Sequence, residues 1–109
     1  MEEEPIFIRT FGRSPVVKIL NTLLRGRELD YSMSDMARIS KISWSTLNRV
    51  WNDLLKSNLV KYTRTIGKAK LYTLNIENQI VKDLIKIYNE LLVQETENYF
   101  AKQKIAIPA

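Results

Sequence analysis

Along most of the chain apolar residues recur every three or four positions, the spacing of helices that bury one face, and only short stretches alternate residue by residue. The first clear helix is predicted from Pro15 to about Arg25. Val16, Ile19, Leu20, Leu23 and Leu24 form its stripe, while Lys18, Asn21, Thr22 and Arg25 lie outside it. Ser14 can cap its free amides, Pro15 suits the first helical position and Gly26 supplies a left-handed stop. Ahead of it, Ile6, Phe7 and Ile8 are a short apolar run expected to lie against the domain without forming a strand. Phe11 to Arg13 should turn, and the acids before Pro5 should trail into solvent.

Leu29 and Tyr31 flank Asp30, a brief strand able to join a small sheet. Ser32 then caps a short helix that ends near Ser40, with Asp35 in the reciprocal capping position and Met36 and Ile39 as its buried residues. After Lys41 and Ile42 a second cap, Ser43, opens a helix from Trp44 to Lys56, so two helices meet at a tight turn. Helical rotation gathers Leu47, Val50, Trp51 and Leu54 on one face and Ser45, Arg49, Asn52 and Lys56 on the opposite one. Ser57 and Asn58 end it. Strands follow at Leu59–Arg64 and Lys70–Leu74, and Gly67 between them makes a hairpin. Val60 and Tyr62 share one face of that ribbon with Tyr72 and Leu74 opposite, all assigned to packing, which leaves Lys61, Arg64, Lys68 and Lys70 for a partner.

Asn78 caps a last helix that should reach about Lys104, with Ile105 to Ala109 frayed. It carries two apolar stripes, one of Ile80, Leu84, Ile87 and Leu91 and one of Val81, Ile85, Tyr88 and Leu92. A small domain can cover one stripe, so the second predicts a homodimer through Val81, Ile85, Tyr88 and Leu92, continued by Tyr99. The alternative is that the first helix and the Ile6–Ile8 run bury both stripes within one chain. The order of elements predicts an α+β fold, mostly α: a winged helix-turn-helix with a C-terminal dimerisation helix. Residues 1–13 are an N-terminal extension, 14–75 the winged domain and 76–104 the dimerisation helix.

Composition narrows the chemistry. A chain of 109 residues with 45% apolar content can bury one modest core. It contains no cysteine and no histidine, which removes disulfides, thiolate and imidazole metal sites and the usual neutral-pH general base. No motif pairs its acids in a pocket and no Gly-rich loop cradles phosphate, so we expect no enzyme, no cofactor and no metal. No apolar run approaches the roughly 20 residues that span a bilayer, and Glu2 to Glu4 stand where a secretory signal is basic. A cytoplasmic, nucleoid-associated protein without a membrane partner is expected. The net charge is +5, and the positive excess lies in Ser32–Leu74, where Arg38, Lys41, Arg49, Lys56, Lys61, Arg64, Lys68 and Lys70 face only Asp35 and Asp53. A basic strip on a rigid scaffold is the footprint of a protein that tracks a row of phosphates. A solvated face is the plainer reading, and the coincidence with an exposed polar helix arc argues against it.

The stretch SMSDMARISKISWSTLNRVWNDLLKSNLVKYTRTIGKAKLYTLN, Ser32 to Asn75, resembles the archaeal and bacterial winged helix-turn-helix transcription regulators, the broad group that includes the MarR-like and ArsR-like repressors. The match extends from Ser14 to about Leu92. The resemblance implies a homodimer on an inverted repeat of double-stranded DNA, with Trp44–Lys56 as the reading helix in the major groove and Arg64–Lys70 as the wing near the minor groove. Candidate DNA contacts are then Ser43, Ser45, Thr46, Arg49, Asn52, Lys56, Arg64, Lys68 and Lys70. The chain departs from the metal-sensing repressors in having neither cysteine nor histidine, and no effector pocket is visible in the sequence. A second reading is a winged-helix protein-interaction module within a larger complex. There the equivalent face is often acidic or apolar, so the basic arc favours DNA.

Overall fold

The computed structural model describes residues 4–106. Its elements are α1 (Ile6–Phe11), α2 (Pro15–Arg25), β1 (Tyr31–Ser32), α3 (Met33–Ser40), α4 (Trp44–Lys56), β2 (Val60–Ile66), β3 (Ala69–Leu74) and α5 (Gln79–Ala106). Glu2, Glu3 and residues 107–109 of the expected frayed end lie outside the described residues, whereas Ile105 and Ala106 continue α5.

The organising element is α2, which touches α1, α3, α4, α5 and β3. Ser14 accepts a hydrogen bond from the Val17 amide at 3.3 Å, and Ile19, Leu23 and Leu24 are fully buried. Because neighbours surround the helix, Asn21 and Thr22 are buried too, contrary to the expectation that they lie outside the stripe, while Val16 is exposed. Gly26 ends α2 at φ −116°, outside the left-handed region predicted for it. Its missing Cβ matters for a different reason, since a methyl there would collide with the Tyr31 hydroxyl, which donates to the Gly26 carbonyl at 3.2 Å.

The Ile6–Ile8 run lies against the domain as expected, but as a short helix, halted by Gly12 at φ 101°. Phe7 is buried, with its ring 6.0 Å from that of Tyr88. Glu4 does not trail into solvent. Arg13 donates from Nε to both of its carboxylate oxygens, at 2.7 and 2.9 Å.

The three strands form one antiparallel sheet in the order β1-β3-β2. The predicted brief strand exists, shifted to Tyr31–Ser32, with Tyr31 opposite Tyr72. Both hairpin strands run further than expected, since Ile66 pairs with Ala69 and leaves only Gly67 and Lys68 in the turn. Gly67 adopts φ 61°, as a two-residue hairpin with glycine at its first central position requires. A bulge at Thr63 separates the Tyr62–Tyr72 pair from the Arg64–Leu71 pair. Tyr72 packs edge-on against Trp51 of α4, at 5.5 Å between centroids.

Asn78 caps α5 with Oδ1, accepting from the Ile80 amide at 2.7 Å, while its Nδ2 donates to the Asn58 carbonyl at 3.1 Å. Here the sequence-based assignment of faces is overturned. Val81 and Tyr88, predicted at an intermolecular interface, are buried within the chain, and Ile85 packs on the core. Ile80 and Ile87, predicted inside, are exposed. The helix lies across α1 and α2 along a line midway between the two stripes, taking Leu84 and Leu91 from one, Val81, Ile85 and Tyr88 from the other. Arg9 of α1 donates to Glu95 at 2.6 Å. Past that tie α5 presents Tyr99 and Phe100 to solvent. At ~1.5 Å per residue its 28 residues make a rod roughly 42 Å long.

Candidate nucleic-acid interface

Two serine caps set the geometry of the helix-turn-helix. Ser32 Oγ accepts from the Asp35 amide at 3.1 Å and opens α3. Lys41, at φ 58°, then turns the chain out of α3 in the left-handed conformation, and Ser43 Oγ accepts from the Thr46 amide at 3.2 Å to open α4. Met36 and Leu47 are fully buried where the two helices meet, whereas Ile39, expected inside, faces solvent. Apolar anchors at Leu47, Trp51 and Leu54 fix the rotation of α4 about its axis, and that rotation leaves Ser45, Arg49, Asn52 and Lys56 exposed on the opposite side.

The candidate residues divide by what already occupies them. Ser43 and Thr46 are committed to the cap: besides the amide bond, the Ser43 hydroxyl donates to Thr46 Oγ1 at 2.8 Å. Arg49, Lys56, Lys68 and Lys70 form no ion pair among the described residues, nor do Lys41 and Lys61. Arg64 is different. Its Nε donates to Asp30 Oδ2 at 3.0 Å and its Nη2 to Oδ1 at 3.4 Å, while Thr63 Oγ1 donates to the same carboxylate at 2.8 Å. The sequence missed Asp30. Nothing in its local pattern marks it, because its partners lie more than thirty residues away. The Arg64 guanidinium, and secondarily the Thr63 hydroxyl, hold the Asp30 carboxyl below the usual aspartate value. The contact ties the root of the wing to the segment before β1. Arg38 likewise pairs with Asp35 at 3.0 Å, one turn away on α3.

The exposed α4 arc and the unpaired lysines of the hairpin therefore offer a set of donors with an amide among them. Arg can donate twice to a guanine edge, Asn can pair with adenine, and lysines neutralise phosphates. Among the described residues no group of three or more acidic, His or Cys side chains could hold a metal ion, and no helix is long and apolar enough to cross a membrane.

No known family profile matches the sequence, and no characterised protein matches it at a significant level. Solved structures do. The chain is similar to HlyU from Vibrio vulnificus CMCP6, a transcriptional regulator, with 24% identity and a TM-score of 0.55 over 68% of this chain and 74% of that one. It is similar to a single-residue mutant of Lactococcus lactis ZitR solved in complex with DNA, with 17% identity and a TM-score of 0.57 over 78% and 60%. A third likeness is to Sso10a-2, a DNA-binding protein from Sulfolobus solfataricus, with 19% identity and a TM-score of 0.50 over 82% and 90%. With two capped helices at a tight turn, a three-stranded sheet and a long closing helix, this chain has the winged helix-turn-helix fold of these proteins.

Proposed function

We propose that the chain is a sequence-specific, double-stranded DNA-binding transcription regulator that acts as a homodimer on an inverted repeat. The observation that carries this reading is the exposed arc of α4, Ser45, Arg49, Asn52 and Lys56, held in place by a buried face and without a protein partner for either cation among the described residues. The similar solved structures of a transcriptional regulator and of DNA-binding proteins support it. Ser45, Arg49 and Asn52 would read base edges. Lys56, Lys68 and Lys70 would contact phosphate, and Ser43, Thr46 and Arg64 would act mainly by shaping the elements that carry the others.

For the homodimer, the apolar surface of α5 beyond the domain is the supporting feature. Leu92, beside the segment packed on the core, is 40% exposed, and past the Arg9–Glu95 tie Tyr99 is 59% exposed and Phe100 also faces solvent, on a stretch of helix left uncovered among the described residues. Two such stretches meeting about a two-fold axis would cover each other and set two α4 helices facing one duplex. Selection of bound sites from a random duplex pool tests the whole reading. An enriched inverted repeat is expected, and a pool that stays random after repeated rounds refutes sequence-specific binding.

One observation favours the protein-interaction alternative: Trp44, at the amino end of α4, is exposed. A Trp44→Ala variant that keeps full affinity for the selected duplex would leave this side chain for a protein partner.

A further inference from the structure

The end of the β2–β3 hairpin carries a large apolar side chain where a solvated turn needs none. Ile66 is 56% exposed, and its partner across the last rung is only Ala69. We propose that Ile66 is a wedge: it enters a base step from the minor groove, partly unstacks it and bends the duplex. This role rests on the DNA-binding reading and goes beyond it, because it assigns the hairpin tip to deforming DNA and not to contact alone.

A single exposed apolar residue is ordinary on a protein surface. Three features set this one apart, and the first is shape. Residues 61–70 are all exposed, and a Cβ added at Gly67 would meet nothing within 4 Å, so the tip stands clear of the domain. Gly67 and Ala69 keep the tip thin, and Ile66 is left as its one bulky apolar group. The minor groove of B-DNA is about 6 Å wide, so only a slim element can bring a side chain to its floor.

Charge is the second feature. Cross-strand partners share a face of the ribbon, so Ile66 and Ala69 lie on one side and Thr65 and Lys70 on the other, with Lys68 in the turn. Neither lysine forms an ion pair among the described residues. An apolar protein surface laid over this tip would desolvate two cations without pairing them. A base step is a better match, with apolar stacked faces inside and a phosphate row on each side.

The third feature is stiffness. Both strands are tied to the segment before β1: Arg64 and Thr63 of β2 to the Asp30 carboxylate, and Thr73 of β3 to the Leu29 carbonyl at 2.8 Å. Nearer the tip, the Tyr62 and Thr65 hydroxyls share a hydrogen bond at 2.5 Å. Ile66 is β-branched and restricted at χ1, so it has little freedom to lose on insertion. A braced hairpin can hold a base step open, whereas a loose one would yield to the duplex. Unstacking is easiest at pyrimidine–purine steps such as TA and CA. A preference for such a step under the wing follows, without any hydrogen bond from the wing to a base.

Energy transfer between dyes at the two ends of the selected duplex, bound by the full chain, tests the wedge. Wild type should raise the transfer, as a kink on the order of 20° or more requires. Ile66→Thr keeps the charge and the β-branching, should melt like wild type, and should lose most of the bend and several-fold in affinity with an unchanged salt slope. Ile66→Leu, still an apolar wedge, should retain the bend. Replacing the TA or CA step under the wing by AA should weaken wild type several-fold and Ile66→Thr little. Lys68→Ala should show the opposite split, a smaller salt slope with the bend kept at saturation. Wild-type complexes in which the DNA stays straight overturn the wedge and leave the regulator reading intact. A bend that Ile66→Thr preserves also overturns it, and unchanged affinity in that variant would leave the tip for a protein partner. Absence of binding to any duplex overturns both the wedge and the regulator reading.

Discussion

Helices α4 and α5 are both amphipathic, yet one could be oriented from the sequence and the other could not. In α4 the apolar residues Leu47, Val50, Trp51 and Leu54 occupy one arc, and Arg49, Asn52 and Lys56 stand opposite it, so only one rotation buries the first set without burying a cation. In α5 the apolar positions between Ile80 and Leu92 spread over roughly 160° of the circumference, against roughly 100° for that set in α4. Several rotations then bury similar apolar area, and the partner decides among them. Phe7 of α1, reaching Tyr88, selects the rotation that puts Val81 and Tyr88 at the centre. A narrow stripe carries its own orientation, whereas a wide one takes it from its neighbours.

The most direct way to break this contrast is to cut α5 at its two halves. Tyr88→Ala removes a buried ring and should cost on the order of 3–5 kcal/mol of folding stability, read by denaturant melts. Leu92→Glu combined with Tyr99→Glu should leave those melts nearly unchanged and dissociate the proposed dimer, read by sedimentation. Burial of each such side chain is worth roughly 1.5–3 kcal/mol. A double variant that unfolds would mean that the distal half is held by its own chain.

Smaller effects sharpen the α4 side. Arg49→Ala should relax the preference for one base pair of the selected site by about 1–3 kcal/mol, measured by competition between matched and mismatched duplexes. In the wing, Lys68→Ala should weaken binding to all sequences alike and reduce the slope of log affinity against log salt by about 0.9. Arg64→Ala should change that slope less, because Asp30 already neutralises the guanidinium. Equal changes for the two would show that the ion pair opens on DNA.

The smallest effect concerns pH. The folded-state pKa of Asp30 is depressed, so the stability that it contributes is fully present above the ordinary aspartate value of about 3.9. That contribution is lost as pH falls through the folded value. Melts of wild type and Asp30→Asn should differ slightly at neutral pH and converge only below the ordinary carboxylate range. Convergence already at pH values above it would mean that Arg64 does not hold the carboxylate.

Local signals determined much of this protein. Ser14, Ser32, Ser43 and Asn78 each cap the helix that follows, because a cap needs only a side chain and amides two or three residues on. Gly67 located the hairpin for the same reason, as did the alternation around it. The exposed arc of α4 was legible because its helix is narrowly striped. What the tertiary structure alone decided involves residues distant in the chain. The burial of Asn21 and Thr22 depends on how many elements surround α2. The capture of Arg64 depends on a carboxylate in the segment before β1. Sequence periodicity records which residues avoid water, but which neighbour shields them is fixed only when the elements pack.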